Sequence, residues 1–175
     1  LIHNGIINNF IELKNKLLQY NFKFYSETDT EIIANLIEYY LIYMNNDIDQ
    51  AITNTINELQ GTWALIILYT KDLDTYYITR HGSPLLLGSN NTYTICCSEI
   101  NGFAGLIYNY IALDNHDIIK VNQTSYQSLN NDISYNIKKV PHNDIIDSYN
   151  PYNHWMIKEI MEQPETIEKA FNFGG

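Results

Sequence analysis

Several kinds of residue are scarce in this chain, and each shortage narrows its possible functions. Only two of its 175 residues are cysteines, the adjacent Cys96 and Cys97. Adjacent cysteines rarely bridge each other and lack the spacing of a metal site, so they argue against a disulfide framework and for a reducing, cytoplasmic compartment. No apolar run reaches the roughly 18 residues of a membrane span, and residues 1–20 lack the basic start and apolar stretch of a signal peptide.

Positive charge is scarce as well. The chain has 10 Lys and Arg residues against 20 Asp and Glu residues, which gives a net charge of −10 and a pI of about 4.7. Phosphate backbones and anionic membrane surfaces repel such a protein, so we expect neither nucleic acid nor a membrane as a partner. There is no HxxxH or CxxC spacing and no glycine-rich phosphate loop, so we expect no metal and no cofactor.

Apolar residues, in contrast, make up 45% of the chain, enough for one domain with a sizeable core. Their spacing changes from a helical period to strand-like runs such as Thr62–Tyr69. Helices followed by many short strands and a terminal helix predict an α+β fold with antiparallel sheets. The predicted helices are 9–19, 28–44, 48–59, 99–106 and 154–171, and the predicted strands are 1–6, 62–69, 75–79, 85–88, 93–97, 110–113, 118–121, 125–129 and 134–140.

The polar, turn-rich segment 141–151 predicts a domain edge. We therefore expect one domain over residues 1–150 and a terminal helix or linker over 151–175. Pro164 falls inside the predicted last helix, where it should cause a kink or a break. The chain lacks an initiator methionine and a strand is already under way at Leu1, so we expect a piece of a longer protein.

The first candidate site is the pair Asn4-Gly5 at the end of the predicted first strand. An asparagine amide and a glycine backbone N–H place two donors close together, as an oxyanion hole requires, and a glycine lets a substrate approach the backbone. Asn-Gly is also the commonest two-residue hairpin turn, and on local grounds alone the turn is the favoured interpretation.

The second candidate is Asp29, within Thr28-Asp29-Thr30-Glu31, which has the Ser/Thr-x-x-Glu form of a capping box. An acid in the first turn of a helix is commonly just a favourable partner of the helix dipole. The same position also exposes a carboxylate that could hold a ligand ammonium group. Local sequence favours the structural role.

Two other features of the sequence are best explained by a structural role and not by a catalytic one. Cys96 and Cys97 lie in a predicted strand without a neighbouring His or Lys, which is typical of buried, unreactive thiols. Residues 80–85 form a tight connection between strands, in which Gly82 suits a positive φ and Pro84 fixes the entry to the next strand.

Taken in order, these pieces resemble the class II glutamine amidotransferase domain family, whose nucleophile is an N-terminal cysteine. The resemblance covers nearly the whole chain. The matching segments are Leu1–Asn9 (LIHNGIINN), Ser26–Glu31 (SETDTE), Leu59–Ala64 (LQGTWA), Arg80–Leu85 (RHGSPL), Ser98–Glu99, where the family usually has Ser-Asp, and Lys158–Pro164 (KEIMEQP).

The resemblance implies a four-layer αββα sandwich of two antiparallel sheets, of the N-terminal-nucleophile hydrolase kind, which this chain would contain without its first strands. It assigns the Asn4 side-chain N–H and the Gly5 backbone N–H to the oxyanion hole, and Asp29 to the α-ammonium group of glutamine. The implied reaction is attack of a cysteine thiolate on the glutamine carboxamide, loss of ammonia, and hydrolysis of the thioester by water.

The largest departure from the family is the missing nucleophile. The family's cysteine is the first residue of the mature enzyme and uses its own α-amine as the general base, and Leu1 is not that residue. Neither Cys96 nor Cys97 can replace it, because neither carries a free α-amine. We therefore expect the 175 residues alone to lack glutaminase activity.

The tail Lys158–Pro164 is the most specific of the matching segments. It resembles the branch of the family that passes ammonia to fructose 6-phosphate in a downstream sugar-isomerase half, which implies a homo-oligomer at full length. Two alternatives stay open. One keeps the fold but changes the acceptor, as in amidophosphoribosyltransferase, and the other is a non-catalytic module that binds glutamine or a partner.

Overall fold

A computed structural model describes residues 1–90, 92–103, 105–123, 125–130, 135–140 and 149–172, with side chains described up to residue 168. The chain forms two compact units, 1–140 and 141–175. The sequence-based boundary at 150/151 stays a prediction. No helix within the described ranges is long and apolar enough to cross a bilayer.

The first unit begins with one strand and three helices and continues with strands. The helices are α1 (Phe10–Leu18), α2 (Asp29–Ile42) and α3 (Ile48–Glu58). The strands are β1 (Ile2–Ile7), β2 (Gly61–Tyr69), β3 (Asp72–His81), β4 (Leu86–Ser89), β5 (Thr94–Cys97), β6 (Asn109–Ala112), β7 (Ile118–Val121), β8 (Tyr126–Ser128) and β9 (Lys138–Lys139), with a 3₁₀ turn at Ile100–Phe103.

The described strands form two sheets, and all their pairings are antiparallel. The first sheet has the order β1-β2-β3-β7-β8, and the second has the order β5-β4-β6-β9. The prediction of an α+β fold with two antiparallel sheets is therefore confirmed. The strand predicted over 134–140 is wrong for most of its length: only Lys138–Lys139 (β9) is strand, residues 135–137 and 140 have no strand structure, and residue 134 lies outside the described residues.

Two apolar cores follow from the alternation of side chains along β2. Trp63, Leu65 and Ile67 face the three helices and form the first core with α1, α2 and α3. Ala64 and the partly buried Ile66 face the opposite way and pack with residues of the second sheet. Because successive side chains of a strand point to opposite faces, β2 is buried on both sides, as its near-continuous apolar sequence predicts.

The second unit contains α4 (Trp155–Asn172). Pro164 lies inside this helix, which runs through it without interruption, so of the expected kink or break the break is wrong and the kink stays a prediction. Proline removes one hydrogen bond to the carbonyl four residues earlier, whereas the rest of an 18-residue helix keeps its bonds. Lys158 and Glu162 form an ion pair one turn apart on the same helix, at 3.8 Å.

Candidate functional site

The free edge of β1 is where the predicted site residues meet. β1 pairs with β2 through Asn4–Ala64, Gly5–Trp63 and Ile7–Gly61, and the Asn8 N–H donates to the Gln60 carbonyl at 2.7 Å. In an antiparallel ladder the N–H groups alternate in direction, so those of residues 4 and 6 point towards β2 and those of residues 3, 5 and 7 point away from it. The Asn-Gly pair thus lies inside a paired strand, and the hairpin-turn interpretation is wrong.

Gly5 has a φ of +150°, and its backbone lies very close to that of β2. A Cβ atom added there would collide with the Thr62 carbonyl oxygen and would lie 2.8 Å from the Trp63 Cα. Only glycine fits this approach without a shift of the backbone. Residue 5 must therefore be a glycine, and its N–H points to the free edge of β1.

Asn4 lies on the face of β1 that is opposite to the helices. Its side chain is exposed, and among the described residues it has no hydrogen-bond partner. Ile2 and Ile6 share this face and are 61% and 67% exposed. The Asn4 amide is therefore accessible and can donate to an incoming group, beside the outward N–H of Gly5.

Asp29 is the first residue of α2, and its carboxylate reaches back to β1. Its Oδ2 accepts a hydrogen bond from the Ile7 N–H at 2.9 Å, on the free edge of the strand. Its Oδ1 lies 3.6 Å from the His3 Nδ1, and the side chain is 25% exposed. Gly5 and Ile7 are two residues apart, about 7 Å at the rise of a strand. The Gly5 N–H and the Asp29 carboxylate thus lie along one edge at small-molecule spacing.

The capping box predicted at residues 28–31 is not formed. Thr28 occupies the N-cap position without a side-chain capping bond, and its Oγ1 lies 2.9 Å from the Ser26 Oγ. The Glu31 carboxylate accepts hydrogen bonds from the Tyr25 N–H, the Ser26 N–H and the Ser26 hydroxyl, at 2.7–2.8 Å. Those bonds, the one from the Ser26 hydroxyl above all, hold the pKa of Glu31 below its ordinary value. Glu31 therefore holds the loop that leads to Asp29, instead of closing a box with Thr28.

The connection after β3 has the tight form predicted for it. Gly82 has a φ of +75°, and the Arg80 guanidinium donates to the Leu113 and Gly82 carbonyls at 2.9 and 3.2 Å. The structure adds an aromatic cluster that the sequence analysis missed, because its members are far apart in the chain. The His81 ring lies 5.0 Å from the Trp63 ring and 4.2 Å from the His116 ring. Burial above all, and the electrostatic interaction with the neighbouring His81, lower the pKa of His116.

The two cysteines do not lie at the β1 edge. Both are in β5, and burial raises the pKa of Cys96 to about 11 and raises the pKa of Cys97 as well. Protonated thiols are weak nucleophiles, as expected of structural cysteines. Within the described ranges, no three His, Cys, Asp or Glu side chains converge as metal ligands.

A comparison with protein families relates this site to a known domain. The model of the glutamine amidotransferase domain matches residues 1–105, which contain Asn4, Gly5 and Asp29. The chain belongs to this family. Membership implies glutamine as the amide donor, and the similarity inferred from the sequence motifs is confirmed.

Individual relatives agree with the family. The chain is 35% identical to the glutamine–fructose-6-phosphate aminotransferase (isomerizing) of Fusobacterium nucleatum and 36% identical to that of Thermococcus kodakarensis. Each match covers 98% of this amidotransferase chain but only 28% and 29% of the relative, so the chain spans little more than a quarter of their length.

Solved structures show the same fold. A glutamine phosphoribosylpyrophosphate amidotransferase from B. subtilis, in complex with ADP and GMP, superposes with a TM-score of 0.62 over 75% of this chain and 29% of that one. The sequence identity is 21%, so this similarity concerns the fold alone.

Proposed function

We propose that the chain is the greater part of the glutaminase domain of a glutamine–fructose-6-phosphate aminotransferase, which releases ammonia from glutamine. The observation that carries the proposal is the common edge of β1, where the outward N–H of Gly5 and the Asp29 carboxylate lie about two residues apart. A glutamine molecule laid along this edge would place its carboxamide at Gly5 and its α-ammonium group at Asp29.

Each residue would act on a different part of the substrate. The Gly5 N–H and the Asn4 amide would donate to the carbonyl oxygen as it gains negative charge in the tetrahedral intermediate, where preorganised donors lower the barrier most. Asp29 would hold the ammonium group, because its carboxylate is fixed by the Ile7 N–H and still 25% exposed. Both oxyanion donors belong to one strand: the backbone fixes the Gly5 N–H, and the exposed Asn4 side chain is free to turn its amide towards the same oxygen.

The family's N-terminal cysteine nucleophile is not among these 175 residues and would be supplied by preceding sequence. Its thiolate would attack the carboxamide carbon, and the tetrahedral intermediate would expel ammonia, with a proton from the α-ammonium of the cysteine. Water would then cleave the γ-glutamyl thioester to glutamate and regenerate the thiol. None of the described side chains of this chain replaces that nucleophile.

The acceptor of the ammonia is the second part of the proposal. The named relatives and the tail segment Lys158–Pro164 favour fructose 6-phosphate, bound in an isomerase half beyond this chain. We further propose a domain over 1–150 followed by a linker over 151–175, a homo-oligomeric full-length enzyme, and a cytoplasmic location. Phosphoribosyl transfer is less well supported, because those amidotransferases are similar in fold only.

The test is an assay of the full-length gene product with glutamine and either fructose 6-phosphate or phosphoribosyl pyrophosphate. We expect glucosamine 6-phosphate from the first acceptor and no amine from the second. The variant Asp29→Ala should lose about 2–5 kcal/mol of glutamine binding, the cost of breaking a desolvated charge pair, with the 25% exposure favouring the lower end. Product from phosphoribosyl pyrophosphate, or glutamine binding without turnover, would favour one of the two alternatives.

A further inference from the structure

His3 lies on the opposite face of β1 from Asn4 and is almost completely buried. Its side chain is 2% exposed and lies between β1 and the start of α2. The Nδ1 atom is 3.1 Å from the Thr30 Oγ1 and 3.6 Å from the Asp29 Oδ1. The Nε2 atom is buried and has no hydrogen-bond partner among the described residues.

This arrangement is a poor one for packing alone. With its proton on Nδ1, the imidazole donates to the Thr30 Oγ1 at 3.1 Å beside the Asp29 Oδ1 at 3.6 Å, and the buried Nε2 lone pair is left without a partner among the described residues. A buried polar atom without a partner is destabilising, and an apolar side chain of similar shape would avoid that cost. The polar contacts of Nδ1 with Thr30 and Asp29 therefore explain why a histidine is present at this position.

The His3 contact reaches Oδ1, the carboxylate oxygen of Asp29 that the Ile7 N–H does not bind. Oδ2 is fixed by the Ile7 N–H, whereas the described residue nearest to Oδ1 in a polar contact is His3. We propose that His3 is a positioning residue for glutamine binding, which orients the Asp29 carboxylate through Oδ1 and through Thr30. The inference rests on the proposed role of Asp29 as the ammonium-binding group.

One strand would then prepare both ends of the site. Gly5 and Asn4 present the oxyanion donors, and His3, the residue before Asn4, sets the acid that holds the other end of the same substrate. A change at His3 should therefore affect substrate affinity and leave the chemical step intact.

The experiment measures glutamine KM and kcat for the full-length gene product carrying His3→Leu or His3→Asn. We expect His3→Leu to raise KM about tenfold, which equals about 1.4 kcal/mol, with kcat unchanged, as for loss of uniform binding. His3→Asn keeps a donor near Oδ1 and should recover most of the affinity. Thr55→Val is the matched control, since Thr55 on α3 also has a buried, unpartnered polar atom.

A double-mutant cycle with Asp29→Asn separates the possible failures. If Asp29→Asn does not change KM, the proposed role of Asp29 fails. If Asp29→Asn raises KM but His3→Leu does not, only the positioning role fails. If His3→Leu lowers kcat and KM stays constant, or if Thr55→Val raises KM equally, the effect is a general structural one and the inference is overturned. Support requires that His3→Leu adds nothing in the Asp29→Asn background.

Discussion

Individual residues of β1 have both structural and chemical roles. Gly5 must lack a side chain so that β1 and β2 can approach, whereas its N–H is accessible to a ligand because it points away from β2. Asn4 and His3 point to opposite faces, because side chains alternate along a strand. Three consecutive residues thereby serve three different surfaces, which explains why this short segment is so informative.

Gly5→Ala should destabilise the protein and abolish turnover. The new Cβ would collide with the backbone carbonyl of Thr62, which cannot rotate away, so we expect a loss of about 2–4 kcal/mol in the free energy of unfolding. Gly82→Ala is the matched control, because it also has a positive φ but its Cβ would meet the Thr62 side chain. Chemical denaturation should show the smaller loss for Gly82→Ala; equal losses would contradict the account of Gly5.

Asn4→Ala should slow the reaction without weakening substrate binding. Removal of one oxyanion donor costs about 10²–10³ in turnover, because the hydrogen bond is strongest in the transition state. Steady-state glutaminase kinetics of the full-length gene product would measure this. Asn8→Ala, one residue beyond β1, is the control and should behave as the parent. An undiminished kcat for Asn4→Ala would remove Asn4 from the oxyanion hole.

Among the elements, the ends of the helices are where local sequence rules and tertiary contacts compete. Asp47 caps α3 as its type predicts, with its carboxylate accepting from the Gln50 N–H at 2.8 Å. Asn9 is at the N-cap position of α1 but makes no capping bond, and its side chain instead donates to the Glu58 carbonyl and accepts from the Gln60 N–H. The Asn9 side chain, which the local capping rule assigns to α1, thus binds the backbone at the end of α3 instead.

Glu31→Gln should loosen the loop before α2 in a pH-dependent way. The hydrogen bonds from Ser26 and Tyr25 lower the folded-state pKa of Glu31, so its stabilising effect is present above the model-peptide pKa of 4.5. It is lost as the pH falls through the depressed folded-state value. Urea midpoints of parent and variant should therefore differ at pH 7 and converge at acid pH, once Glu31 is protonated in the folded state as well. Glu27→Gln is the control, and a constant difference across this range would contradict the assignment.

At the scale of the first unit, polar bridges join the helical layer to the first sheet. The Asp49 carboxylate on α3 accepts hydrogen bonds from the Tyr77 hydroxyl on β3 at 2.6 Å and from the Lys120 ammonium on β7 at 3.1 Å. Burial and the bond to Asp49 raise the pKa of Tyr77 to about 12. Lys16 and Glu58 likewise connect α1 with the end of α3, at 2.7 Å. The first bridge thus joins α3 to the sheet, and the second joins α1 to α3.

Tyr77→Phe should lower stability by about 1–2 kcal/mol, because it removes one hydrogen bond to a charged group and leaves the Asp49–Lys120 pair in place. Thermal or urea unfolding would measure the loss. Tyr76→Phe is a useful comparison on the other face of β3, where the hydroxyl lies 2.6 Å from the Thr94 Oγ1 between two neutral groups. We expect a smaller effect there, and a neutral Tyr77→Phe would mean that the bridge contributes nothing net.

The sequence by itself determined the class of fold, the strongly periodic elements and the family. The buried strand at residues 62–69 and the helices beginning near residues 28 and 48 follow from apolar spacing, which is a local property. Motif order then predicted Asn4, Gly5 and Asp29 as site residues, and the structure brings all three to β1 or its edge.

Only the tertiary structure decided which groups meet. The strand order β1-β2-β3-β7-β8, the bond from Ile7 to Asp29 and the buried contact between His3 and α2 all join residues that are distant in the chain. Hydrophobic periodicity identifies which face of an element is buried. It does not identify the element that packs against this face, because the hydrophobic effect is non-directional. Hydrogen bonds are directional, so the partners of a given side chain are defined only once the sheets and helices have packed.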